Sequence, residues 1–118
     1  MPPELASDPD CIFCKIVRGE LPATVVGRTD GFVAVEDINP KADVHLLVIP
    51  ERHIASFHQI AEFSADEDKR MLDFIAEVAA ENGLTDYRVV VNAGAGAGQT
   101  IFHLHWHVLS GGLTGRMA

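Results

Sequence analysis

Residues 103–109 read His-Leu-His-Trp-His-Val-Leu, a strict alternation of imidazole and apolar side chains. In an extended strand successive side chains point to opposite faces. His103, His105 and His107 are therefore expected on one face, with Leu104, Trp106 and Val108 on the other. The two faces have different work to do: one packs, and the other carries three ring nitrogens. Whatever else the chain forms has to accommodate this strand, which the alternation predicts over Ile101 to Leu109.

The remaining elements follow from periodicity and turn signals. Ile12, Phe13, Ile16 and Val17 recur at near-helical spacing within Cys11 to Arg18, and Gly19 and Pro22 close that short helix. Thr24 to Arg28 and Phe32 to Glu36 are β-rich runs joined by Thr29-Asp30-Gly31, a hairpin connection. A third strand spans His45 to Ile49 and ends at Pro50. Ser64 and Glu67 form a capping-box signature, after which Met71, Leu72, Ile75, Val78 and Ala79 predict one long helix running to Gly83. Tyr87 to Asn92 is a fourth strand, followed by a Gly/Ala loop from Ala93 to Gly98. Regular strand–helix alternation is missing, so the expected class is α+β: a five-stranded antiparallel sheet with one long and one short helix. The length of 118 residues suits one domain. It is expected over residues 11–112, between a flexible N-terminal segment, 1–10, and a tail, 113–118. One large helix leaves part of a five-stranded sheet bare, and a two-fold homodimer is expected to cover it.

A net charge of -8 argues against duplex nucleic acid as a partner, because affinity for a phosphate backbone comes from clustered Lys and Arg. Neither a secretory signal nor an apolar run of membrane-spanning length is visible, and a cytoplasmic protein without membrane contact is expected. The two cysteines, Cys11 and Cys14, are spaced for a metal or redox pair rather than a secreted disulfide framework.

Three readings of the histidine strand stay open on the residues alone. One is a half-solvated face that happens to be histidine. A second is a three-histidine metal centre, but the backbones of His103 and His107 stand about 13 Å apart along a strand, too far for parallel side chains to share an ion bonded near 2 Å. The third is nucleophilic catalysis: a neutral imidazole attacks near pH 7, and neighbouring imidazoles divide the remaining roles. Spacing does not say which ring attacks. The loop Gly94-Ala95-Gly96-Ala97-Gly98 lacks the Gly-Lys-Thr/Ser ending of a P-loop and leads into a strand, so it is either a flexible connection or a place where backbone N–H groups approach phosphate.

The run His103 to Leu109 resembles the His-φ-His-φ-His-φ-φ signature of the histidine triad family. Similarity extends through Cys11-Ile12-Phe13-Cys14-Lys15-Ile16, Asp37-Ile38-Asn39-Pro40, His45 to Pro50 with His53, and Asn92 followed by Gly98-Gln99-Thr100. The branch it most resembles is that of the Hint-type nucleoside phosphoramidases, homodimers whose sheet continues across the interface. The resemblance implies that His105 attacks the α-phosphorus of a purine nucleotide and carries the nucleotidyl group, with His107, His45 and His103 in support. It further implies that Asn92, Gly98, Gln99 and Thr100 hold phosphate oxygens and the leaving group. Asp37 would accept from ribose hydroxyls; on the residues alone the alternative is a turn-forming carboxylate ahead of Asn39-Pro40. Ile12, Phe13, Ile16 and Ile38 would line the base pocket. A structural zinc site is expected from Cys11, Cys14, His53 and His103, two thiolates and two imidazoles making a tetrahedral set. His103 thus stands in both the catalytic and the metal set. Thr100 replaces the serine of many relatives and leaves the leaving-group preference open. Two other functions remain: a dinucleoside polyphosphate hydrolase, and a nucleotide-binding scaffold.

Overall fold

The computed structural model describes residues 7–113. Residues 1–6 and 114–118, on which most of the expected N-terminal segment and tail fall, lie outside the described residues. The elements in chain order are α1 (Ile12–Val17), β1 (Val25–Thr29), β2 (Phe32–Glu36), β3 (Val44–Pro50), α2 (Ala65–Glu81), β4 (Arg88–Val90) and β5 (Trp106–Ser110). Short 3-10 turns occupy Phe57–Glu62 and Ala95–Ala97. The strands form one sheet in the order β1-β2-β3-β5-β4, every neighbouring pair antiparallel. This is the α+β fold expected from the sequence.

Helix α2 covers one face of the sheet. Ser64 accepts from the Glu67 N–H and the Glu67 carboxylate accepts from the Ser64 N–H, so both ends of the capping box are made. Asp66, Glu67 and Asp68 in the first turn complement the positive end of the helix dipole. Its buried stripe is Met71, Phe74, Ile75, Val78 and Ala79. Leu72, expected on that stripe, is half exposed, because a 100° step from Met71 carries it off the face that Phe74 occupies instead. The stripe packs on Phe32, Ala34, Leu46, Val48, Leu104 and Val108, and each large side chain so buried contributes roughly 1.5–3 kcal/mol. Gly27 lies beneath the helix at a β1 bulge. A Cβ there would stand 3.1 Å from a Val78 methyl, so helix and strand come this close only over glycine.

The opposite face carries a smaller core of Phe13, Val33, Val35, Leu47 and Ile49, closed by α1. Part of this face stays open, and the histidines lie there.

The last strand corrects the sequence reading. Pairing of β3 with β5 runs from Val44↔Ser110 to Val48↔Trp106 and stops. The next but one β3 residue is Pro50, which has no N–H to give a ladder, and its carbonyl is taken by the His103 ring at 2.7 Å. Residues 101–105 therefore leave the sheet. Leu104 N–H bonds to the Ile54 carbonyl at 2.7 Å instead. Strand β4 is also shorter than expected, three residues rather than six. No helix among the described residues is long and apolar enough to cross a membrane.

Candidate functional site

His107 enters the open face from β5 and His45 from β3, where Leu47↔His107 and His45↔Leu109 are cross-strand neighbours. Three hydrogen bonds fix the tautomers. The Lys41 N–H donates to His45 Nδ1 at 3.0 Å, which leaves the His45 proton on Nε2. His45 Nε2–H then donates to His107 Nδ1 at 2.9 Å, a better distance than the 3.4 Å to Asp37 Oδ2. His107 in turn carries its proton on Nε2. Separately, His105 Nδ1–H donates to the His103 carbonyl at 2.7 Å, so His105 Nε2 keeps an unprotonated lone pair.

The rings of His105 and His107 meet edge to face with centroids 5.0 Å apart. Burial lowers His105 and His45 below the ordinary histidine value, with the Asp37 carboxylate working the other way on both. Burial, followed by the neighbouring His105 and His45 rings, holds His107 down at about 4. All three are neutral at pH 7. One ring thus offers a nucleophilic nitrogen and its neighbour an N–H donor, a pairing suited to displacement at phosphorus.

The histidines open into a cavity of about 950 Å³. Ile12, Phe13, Ile16 and Ile38 form its apolar wall at the α1 end, Ile38 standing 89% exposed on the loop after β2. Asn92, Gly98 and Thr100 line it from the connection between β4 and β5, and Gly98 at φ +99 adopts the left-handed conformation that suits glycine. Asp37 divides its oxygens: Oδ1 accepts from the Asn39 N–H at 2.8 Å, forming the turn before Pro40, while Oδ2 faces His45. Asp37 thus makes the turn and also lines the cavity.

Two expected site residues stand elsewhere. Gln99 is 3% exposed and does not line the cavity. Its amide donates to the Ala55 and Ile101 carbonyls at 2.7 and 3.0 Å, and its oxygen accepts from the Gly94 N–H at 2.9 Å, so no side-chain group is left for phosphate. His103, fully buried, turns away from the cavity because the chain has left the strand that would have aligned it with His105. The Phe13 ring packs edge-on against both imidazoles, 5.8 Å from His103 and 4.9 Å from His105.

His103 belongs to a second cluster, with Cys11, Cys14 and His53, whose four ligand atoms lie within 4.8 Å of one another. His103 Nδ1 is 3.3 Å from Cys11 Sγ and 3.5 Å from Cys14 Sγ, and His53 Nδ1 is 3.4 Å from Cys14 Sγ. A tetrahedral centre with Zn–S near 2.3 Å and Zn–N near 2.0 Å has edges of about 3.3–3.8 Å, and these three sulfur–nitrogen separations already fall in that range. The Pro50 carbonyl fixes the His103 proton on Nε2 and aims the Nδ1 lone pair at the cluster. The N–H groups of Asp8 and Cys14 donate to the two sulfurs, as thiolate ligands require. Burial raises the Cys11 thiol above its ordinary value and lowers His103 to about 4. The residues fit a metal ion.

The sequence reading did not identify the groups that set these tautomers, the Lys41 N–H and the Pro50 and His103 carbonyls. They are backbone atoms, and residue identity carries no signal for them. It also missed Arg88, an arginine in a run of hydrophobic strand residues, which lines the cavity from β4.

A family model described as the HIT domain matches residues 18–112. Protein HitA of Neisseria gonorrhoeae is 43% identical over 102 residues, covering 85% of this chain and 94% of that protein. Among solved structures, a histidine triad protein from Clostridium difficile aligns with a TM-score of 0.84 at 37% identity, over 95% of this chain and 99% of its own. A HIT family hydrolase from Legionella pneumophila aligns at 0.77 and 39% identity, over 86% and 93%.

Proposed function

Because the chain belongs to the HIT domain family, we propose that it is a nucleotide hydrolase or transferase of the Hint-like phosphoramidase branch, acting at the α-phosphate of a purine nucleotide through a nucleotidyl-His105 intermediate. Family membership and the histidine clusters support an enzyme in general. The observation that carries the finer reading is the unprotonated Nε2 of His105, held by the His103 carbonyl in the wall of a cavity with room for a nucleotide.

In this reading the base lies against Ile12, Phe13, Ile16 and Ile38, and Asp37 Oδ2 receives the ribose hydroxyls. His105 Nε2 attacks phosphorus; the amine leaves with the P–N electron pair and takes a proton from solvent. Water then attacks phosphorus, His105 departs with its electron pair, and the water proton returns to solvent. His107 Nε2–H, supported through His45 and Lys41, donates to a phosphoryl oxygen while negative charge builds there. Asn92, Thr100 and the backbone at Gly98 hold the other oxygens. Gln99 acts at one remove by holding the loop.

Cys11, Cys14, His53 and His103 would hold zinc, which when bound cross-links the start of α1 to the segments after β3 and before β5. A cytoplasmic setting keeps such thiols reduced. The chain pairs as a homodimer through the free edge of β4, where Val89 is exposed.

Incubation with AMP phosphoramidates and dinucleoside polyphosphates, compared by kcat/KM, tests the branch. Higher values for phosphoramidates support it, and higher values for dinucleoside polyphosphates transfer the site to the neighbouring branch. Nucleotide binding without turnover of either class leaves a scaffold.

A further inference from the structure

One arginine, Arg88, meets no carboxylate among the described residues. Among the described residues, Arg18, Arg28, Arg52 and Arg70 each sit within ion-pair distance of a carboxylate. Arg88 has no ion pair and no side-chain hydrogen bond among those residues, although the protein has a net charge of -8 and carboxylates are plentiful. It is half-buried and lines the same cavity as His105 and His107.

Its place in the sheet gives this a direction. Arg88 pairs with Leu109 and Val90 with His107, so the Arg88 side chain shares the cavity face and stands two residues from the His107 register, about 6.7 Å along the strand. The cavity's carboxylates, Glu36 and Asp37, lie at the end of β2, which β3 and β5 separate from β4, a distance of about 14 Å at ordinary strand spacing. The cavity's other Lys or Arg among the described residues, Lys41, lies at that acidic end, where its ammonium donates to the Asn39 carbonyl. The histidines therefore divide the cavity into a hydroxyl-accepting end and an end with one uncommitted guanidinium beside Leu109 and Leu113. A planar guanidinium against apolar walls favours a bidentate carboxylate or phosphate.

We propose that Arg88 is a specificity residue that selects leaving groups carrying a second negative charge, supplied by a carboxylate or by a further phosphate. This rests on the reading of the site as one that transfers a nucleotidyl group to His105. It places at one point the anion recognition that the acidic chain lacks as a whole.

The test compares AMP joined through a P–N bond to glycine, which keeps a free carboxylate, with AMP joined to glycinamide. ADP serves as the phosphate arm. Wild type is expected to favour the glycine compound in kcat/KM by about tenfold, the scale of one charge-assisted hydrogen bond at a partly exposed site. Arg88→Gln should bring the ratio near one, Arg88→Glu should reverse it, and Arg88→Lys should retain part of it. If Arg88→Glu does not fold, the other two variants carry the comparison. Loss confined to the glycine arm assigns a carboxylate, and a matching loss on ADP assigns a phosphate. A glycine-to-glycinamide ratio unchanged in Arg88→Gln, with ADP turnover equally unmoved, overturns the inference and leaves the proposed function standing. Turnover of none of these compounds overturns both.

Discussion

The carbonyl of His103 accepts the Nδ1 proton of His105 at 2.7 Å, while the ring of the same His103 aims its own Nδ1 at the sulfurs of Cys11 and Cys14. One residue thus orients the proposed nucleophile with its backbone and joins the candidate metal-ligand cluster with its side chain. What fixes His103 in the cluster also fixes the group that sets the His105 tautomer.

Protein purified without chelator is accordingly expected to hold about one zinc per chain. Chelation, or Cys14→Ser, should lower stability by about 2 kcal/mol or more, roughly 5–10 °C in Tm for a domain of this size. Metal analysis and thermal melts check this. Substoichiometric zinc that does not rise on reconstitution would contradict it.

Gln99→Ala should act on the loop rather than on substrate. Three part-buried hydrogen bonds lose a partner, one of them leaving the Gly94 N–H without its acceptor, and a loss of about 1–3 kcal/mol is expected. Denaturant unfolding measures it. A stable variant with a raised KM alone would return Gln99 to direct phosphate contact.

His107 gives a pH signature. Burial and the His105 and His45 rings hold it at about 4; Lys41 adds to them and Asp37 opposes them, whereas in the unfolded chain it titrates near 6.5. Between those values the unfolded state binds a proton that the folded state lacks. The stability tied to this ring is therefore complete above pH 6.5 and drains away as pH falls toward 4. An NMR titration should place the His107 midpoint well below 6. A midpoint of 6 to 7 would remove the hydrogen-bonded neutral relay from His45.

Much of this was legible in the sequence where the signal is periodic. The capping box at Ser64 and Glu67, the buried stripe of α2 and the hairpin of β1 and β2 follow from local spacing, and so do the places of His105 and His107 on one face. The extent of β5 was not legible, because it depends on Pro50, 53 positions from His103, having no N–H to offer and a carbonyl to give. Gln99 misled for a related reason. A glutamine beside a glycine loop reads as a phosphate ligand until its partners at Ala55 and Ile101 are known. Arg88 gave no motif at all; what marks it is that it meets no carboxylate among the described residues.

The central claim is that His105 forms a covalent bond to phosphorus. The most direct measurement is intact mass after a rapid quench without acid, from a reaction with an adenosine phosphoramidate, followed by mapping of the modified residue. A mass gain of one adenylyl group, mapped to His105, is expected in wild type; in His105→Ala it should be absent, with turnover lost and substrate binding kept. Turnover by His105→Ala at an undiminished rate, or an adduct mapped to another residue, would contradict the assignment.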